Sequence, residues 1–144
     1  MNNIKINLTF QCRTFQKISV AAIVRKCIRA TFYEEGITAP LEINVLVTDD
    51  ESIRMINAAN RNIDKATDVL SFPMFDLTPG DPPQDWTNYL DPDTGLCPLG
   101  DMAISLERAK EQAAELADVD CIVVLGCKVY DDGTPSAMLE DRLR

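Results

Sequence analysis

The chain has 144 residues, 46% of them hydrophobic, a net charge of −9 and no histidine. That length suits one domain with a real core, and the acidic balance counts against indiscriminate binding of nucleic acid. No apolar run approaches the ~18 residues of a membrane span and no basic leader precedes one, so a cytoplasmic protein with no membrane partner is expected.

Ile4, Ile6, Leu8 and Phe10 alternate with Lys5, Asn7 and Thr9, the period of a half-buried strand. From about Phe15 to Glu35 the period turns helical. Val20, Ile23, Val24, Cys27, Ile28 and Thr31 share one face, opposite Arg25, Lys26 and Arg29, and Gly36 supplies the stop. Residues 1–35 hold six basic and two acidic side chains, net +4, which leaves −13 on the rest. Any nucleic-acid surface is therefore expected on these first elements, where the alternative is a solvated helix face.

Leu41 to Val47 reads as a second strand, and Thr48-x-x-Glu51 has the form of a capping box. A short helix follows, burying Ile53 and Ile56 and ending near Asn60. Val69 to Phe72 is a third strand that Pro73 stops or confines to an edge. Residues 74–98 carry five prolines and exceed the usual ~12–15-residue loop. Within them Asp91-Pro92-Asp93-Thr94-Gly95 invites a calcium loop, but the glycine comes one place early and Met102 stands where the closing glutamate belongs. Gly100 to Ser105 is a fourth strand, and Ser105 caps a helix from Leu106 to about Ala117. These elements interleave without a strict βαβ rhythm, so an α+β fold is expected: one four-stranded sheet with helices mainly on one face. The five cysteines form no C-x-x-C pair and are expected reduced, packing as small hydrophobes.

Two stretches carry chemistry. Arg61-Asn-Ile-Asp-Lys-Ala-Thr-Asp-Val-Leu-Ser-Phe-Pro73 reads as a loop that brings a guanidinium to the mouth of a strand, and Leu99-Gly-Asp-Met-Ala-Ile-Ser-Leu-Glu-Arg-Ala-Lys-Glu-Gln112 as a strand running into a helix. In this order they resemble the YbeY family of single-strand endoribonucleases that act in ribosomal RNA maturation, over roughly Ile4 to Leu116. The resemblance implies RNA or the ribosome as partner. It makes Arg61 the candidate catalytic residue, and Arg61, Lys65, Ser71 and Phe72 the candidate RNA-binding set.

On the residues alone, Arg61 has a plainer alternative, a surface pair with Asp64. Asp64, Lys65 and Thr67 also read as turn and cap chemistry. Phe72 stacks a base or fills the core, and Asp101 orients a ligand or makes a structural hydrogen bond. Asn62 and Ala66 stand where the family usually has glycine and proline, which suggests a less rigid loop.

The resemblance also implies a zinc helix of pattern H-G-x-x-H-x-x-x-x-x-H. The chain has no histidine, so no metal ligand is assigned, no cofactor is expected and hydrolysis through zinc-bound water is not. Cys97, Cys121 and Cys127 have no ligand spacing. A Ser–His or Cys–His nucleophilic arrangement is equally out of reach. Residues 1–117 form the YbeY-like domain. Residues 118–144 instead look like the opening of a YdcF/SanA-like Rossmann-type domain, with Gly126 at the end of a first strand. A fusion of two neighbouring genes or a sequence-assembly join produces such a chain. The function expected is that of an endoribonuclease lineage inactive here, or of a non-catalytic RNA- or ribosome-binding module.

Overall fold

The computed structural model describes residues 3–76, 83 and 85–115. Its order is β1 (Ile4–Phe10), α1 (Lys17–Glu34), β2 (Leu41–Thr48), α2 (Asp50–Arg61), β3 (Val69–Pro73), a 3-10 turn (Thr87–Tyr89), β4 (Cys97–Ser105) and α3 (Leu106–Glu115). One sheet runs β1-β2-β4-β3. β1 and β4 lie parallel to β2, while β3 lies antiparallel to β4. The expected α+β fold with a four-stranded sheet is what the chain adopts. The proposed join near Leu116–Asp120 and the 118–144 segment fall outside the described residues.

The sheet's two faces follow from the alternation in its strands. Leu41, Ile43, Val45 and Met102 point to the face covered by α1, where they pack with Ile28, Phe32 and Cys97. The opposite face has a smaller cluster of Ile53, Leu70 and Ala103, with Leu46, Ile56, Ala66 and Phe72 against it. α2 supplies Ile53 and Ile56 there and also contacts α3, so α1 is the one α-helix on its side among the described residues. Beyond that cluster the second face turns polar: Asn7 donates to Glu42 (2.7 Å) and Asn44 (2.9 Å), and Asn44 donates to Asp101 (2.8 Å).

Several local expectations need correction. In α1 it is Phe32, 7% exposed, that joins Ile28 in the core, while Ile23 is 57% exposed; the buried stripe is rotated toward the Ile28–Phe32 ridge. Thr48 does not cap α2. It remains the last residue of β2, opposite Ser105 and fully buried, and Asp49 accepts the Ser52 N–H at 2.8 Å instead. β4 starts at Cys97, earlier than expected, with a bulge where Glu42 faces Pro98 but Ile43 faces Gly100. Cys12 and Cys97 are buried free thiols that pack as small hydrophobes, as expected.

Other readings hold. Gly36, at φ 64, ends α1 in a Schellman motif in which Ile37 N–H bonds Phe32 C=O and Gly36 N–H bonds Tyr33 C=O. Ser105 Oγ accepts the Arg108 N–H at the start of α3. Asp91 closes a turn, its Oδ1 accepting from the backbone N–H groups of Asp93 and Thr94.

Gly100 fixes the β3–β4 pairing. Its φ of 123 suits glycine, and a Cβ there would overlap the Phe72 carbonyl oxygen and lie 2.9 Å from the Met74 nitrogen. The two strands therefore close at a point only hydrogen can occupy.

Candidate functional site

The chain enters the candidate site through α2. Asp49 caps it, Asp50 and Glu51 occupy its first turn, and Arg61 closes its last, a charge order that complements the helix dipole. Arg61 is thus the last helical residue and not part of a loop. Asn62 takes the left-handed conformation (φ 57, ψ 29), and its N–H bonds Ala58 C=O. Asparagine adopts that conformation more readily than most side chains. The residue standing in for the family's glycine is therefore accommodated.

The next turn is clamped to the helix. Lys65 N–H donates to Ile63 C=O at 2.9 Å, and the buried Asn57 donates Nδ2–H to Lys65 C=O at 2.8 Å. Arg54 bonds both Glu51, at 2.8 Å, and Asp64. Glu51 first, and Asp64 next, hold its guanidinium more firmly protonated than usual. The Arg61–Asp64 pair weighed from the sequence is not formed: Arg54 takes Asp64. Arg61 and Lys65 are exposed and make no ion pair among the described residues.

Past the turn, Asp68 anchors the entry to β3. Its Oδ1 accepts from Val69 N–H and Thr67 Oγ–H, and its Oδ2 from Gln112 of α3. Burial works against its charge, but these donors prevail and its carboxyl stays below the usual range. Ser71 is exposed on the edge strand. Phe72 is half-buried in the cluster under α2, a core position, and Asp101 accepts from Asn44, a structural bond.

Two residues of this arrangement escape a reading of the sequence. Arg54 is legible as a partner of Glu51 from their spacing, but nothing in the sequence pairs it with Asp64 ten residues on. Asn57 signals itself only as an amide four residues after Ile53, inside an apolar stripe.

A zinc ion does not suit the described residues. Among the described residues no group of three or more His, Cys, Asp or Glu is placed to hold a metal. Burial raises the Cys97 thiol pKa, the opposite of what a thiolate ligand needs.

A four-stranded mixed sheet, with a cation-bearing turn leading from α2 into its antiparallel edge strand, defines an α+β domain whose exposed guanidinium suits an anionic ligand. The comparisons with known proteins make this specific. The family model described as Endoribonuclease YbeY matches residues 6–120, and the chain belongs to that family. It is 42% identical over 96 residues to Endoribonuclease YbeY of Acetivibrio thermocellus, which spans 67% of this chain and 59% of that protein. To Endoribonuclease YbeY of Clostridium botulinum strain 657 it is 41% identical over 119 residues, 79% of this chain and 66% of that protein. To the protein of the same description in Clostridium acetobutylicum it is 43% identical over 97 residues, 64% of this chain and 58% of that one. The chain therefore spans less than two thirds of the length of these relatives. Among the described residues, no helix is long and apolar enough to cross a membrane.

Proposed function

We propose that this chain is an RNA-contacting module of the YbeY endoribonuclease lineage, acting in ribosomal RNA maturation, and that it does not itself cleave RNA. The observation that carries this reading is Arg61 at the end of α2, exposed and without an ion pair among the described residues, beside a turn whose own carboxylate is taken by Arg54. A guanidinium stays charged at every relevant pH and binds two phosphate oxygens side by side. Lys65 adds a point charge on the turn that follows Arg61, whereas Phe72 serves the core under α2 and Ser71, next to it on the strand, faces the other side of the sheet. Cleavage through a metal-bound water needs ligands that this sequence, without histidine, does not provide.

Binding of a short fluorescein-labelled single-stranded RNA tests the reading. The wild-type chain should bind with an affinity that falls as salt rises. Arg61→Ala should weaken binding about tenfold, and EDTA should change nothing. Equal binding by Arg61→Ala and wild type would end the proposed role of Arg61. Chelator-sensitive cleavage by protein carrying stoichiometric zinc would end the proposed inactivity.

The 118–144 segment is, on this proposal, attached to the domain and not part of its core. Deleting the segment should leave the melting temperature unchanged; a collapsed remainder would make it part of the core.

A further inference from the structure

We infer that Arg54 is a positioning residue for the RNA contact: by holding Asp64 it keeps the carboxylate of the turn away from Arg61 and Lys65. The inference rests on the RNA-contacting role proposed for Arg61. Arg54 and Arg61 are seven residues apart within one helix, so they share a side of α2, about 10 Å apart along its axis. Asp64 folds back along the helix to reach Arg54, while Asn57 ties the Lys65 carbonyl to the same helix. Besides its backbone bonds at Asn62 and Lys65, the turn is thus held to α2 by one side-chain-to-backbone hydrogen bond and one ion pair. Glu51 holds Arg54 from its other end, through Nε at 3.2 Å and Nη2 at 2.8 Å, which orients the guanidinium with Nη1 toward Asp64.

This arrangement sorts the charges. Asp64 is only three residues beyond Arg61 and adjoins Lys65, so these are its nearest alternative partners in the sequence. Were it released, it would pair with one of them or stand as an unneutralised anion beside the incoming phosphate. Either outcome subtracts from RNA binding, although Arg54 itself touches no RNA.

Double substitution separates this role from direct contact and from simple structural support. With the same labelled single-stranded RNA at low salt, Arg54→Gln should weaken binding about threefold, the size of one unscreened charge at ~7 Å in water. The loss should shrink at high salt. Adding Asp64→Asn to Arg54→Gln should restore wild-type affinity, because the released anion is gone. If Arg54 merely stiffens the turn, removing Asp64 as well restores nothing. If Arg54 contacts RNA directly, the double variant stays weak. Either result, or an Arg54→Gln variant that binds like wild type while Arg61→Ala is weak, overturns the inference. Normal binding by Arg61→Ala would instead remove the reading on which it rests.

Discussion

The two faces of the sheet divide the work of the domain. Under α1 the packing is continuous and apolar, from Phe32 and Ile28 across Leu41, Ile43 and Val45 to Met102. Under α2 the apolar contact shrinks to a few side chains around Ile53, and the strands then carry amides and carboxylates in a row from Asn7 to Asp101. Stability is concentrated on the first face. The second face needs only enough packing to hold α2, whose far end carries the exposed cations. The difference teaches that Arg61 is presented by a helix with a modest hydrophobic footprint and several polar restraints.

The largest expected effect lies where the strands of both faces converge. Gly100→Ala places a methyl group against the Phe72 carbonyl and should cost about 3 kcal/mol or more in urea denaturation, a closed core site with a strained φ. A near-normal midpoint would mean that β3 can move away from β4. Next comes the direct contrast between faces. Leu41→Ala, at a fully buried position, should cost about 2–5 kcal/mol. Asn44→Ala interrupts an exposed hydrogen-bonded row and should cost less than about 1 kcal/mol. Comparable losses would show that the polar row contributes as much as the core.

The smallest effect is a pH dependence at the start of α2. The hydrogen bonds from Ser52 hold the Asp49 carboxyl below its usual range. A depressed carboxyl stabilises the fold above its unfolded pKa of about 3.9 and loses that contribution as pH falls through the folded value. Asparagine caps a helix about as well as aspartate without titrating. Asp49→Asn should therefore match the wild type near neutrality and lose less stability in acid below about pH 4. Parallel acid-denaturation profiles for the two proteins would assign the cap's pH dependence elsewhere.

Most of the fold was legible because its signals are local. The alternation of Ile4 to Phe10, the glycine after α1 and the proline closing β3 each declare an element or its end. The facing of α1 was less legible: Ile23 and Phe32 are both apolar, and only the tertiary partner decides which is buried. At the candidate site, the sequence singles out Arg61 but not the contacts around it. An Arg61–Asp64 pair is reasonable from a spacing of three residues, yet the left-handed Asn62 turns the chain back so that Asp64 meets Arg54. The cap moved from Thr48 to Asp49 for a similar reason: β2 pairs with β4 through its last residue and takes Thr48 into the sheet.

The aromatic corner has an optical consequence. The chain's single tryptophan, Trp86, lies 5.8 Å from the Tyr89 ring, which meets Phe75 edge-on at 5.0 Å. All three pack against the larger core. Ring separations this short place Trp86 within efficient energy transfer of Tyr89, so emission excited at tyrosine wavelengths should appear partly as tryptophan fluorescence. The intrinsic spectrum thus reads the docking of the segment between β3 and β4 on the α1 side, and it says nothing directly about the end of α2 that carries Arg61.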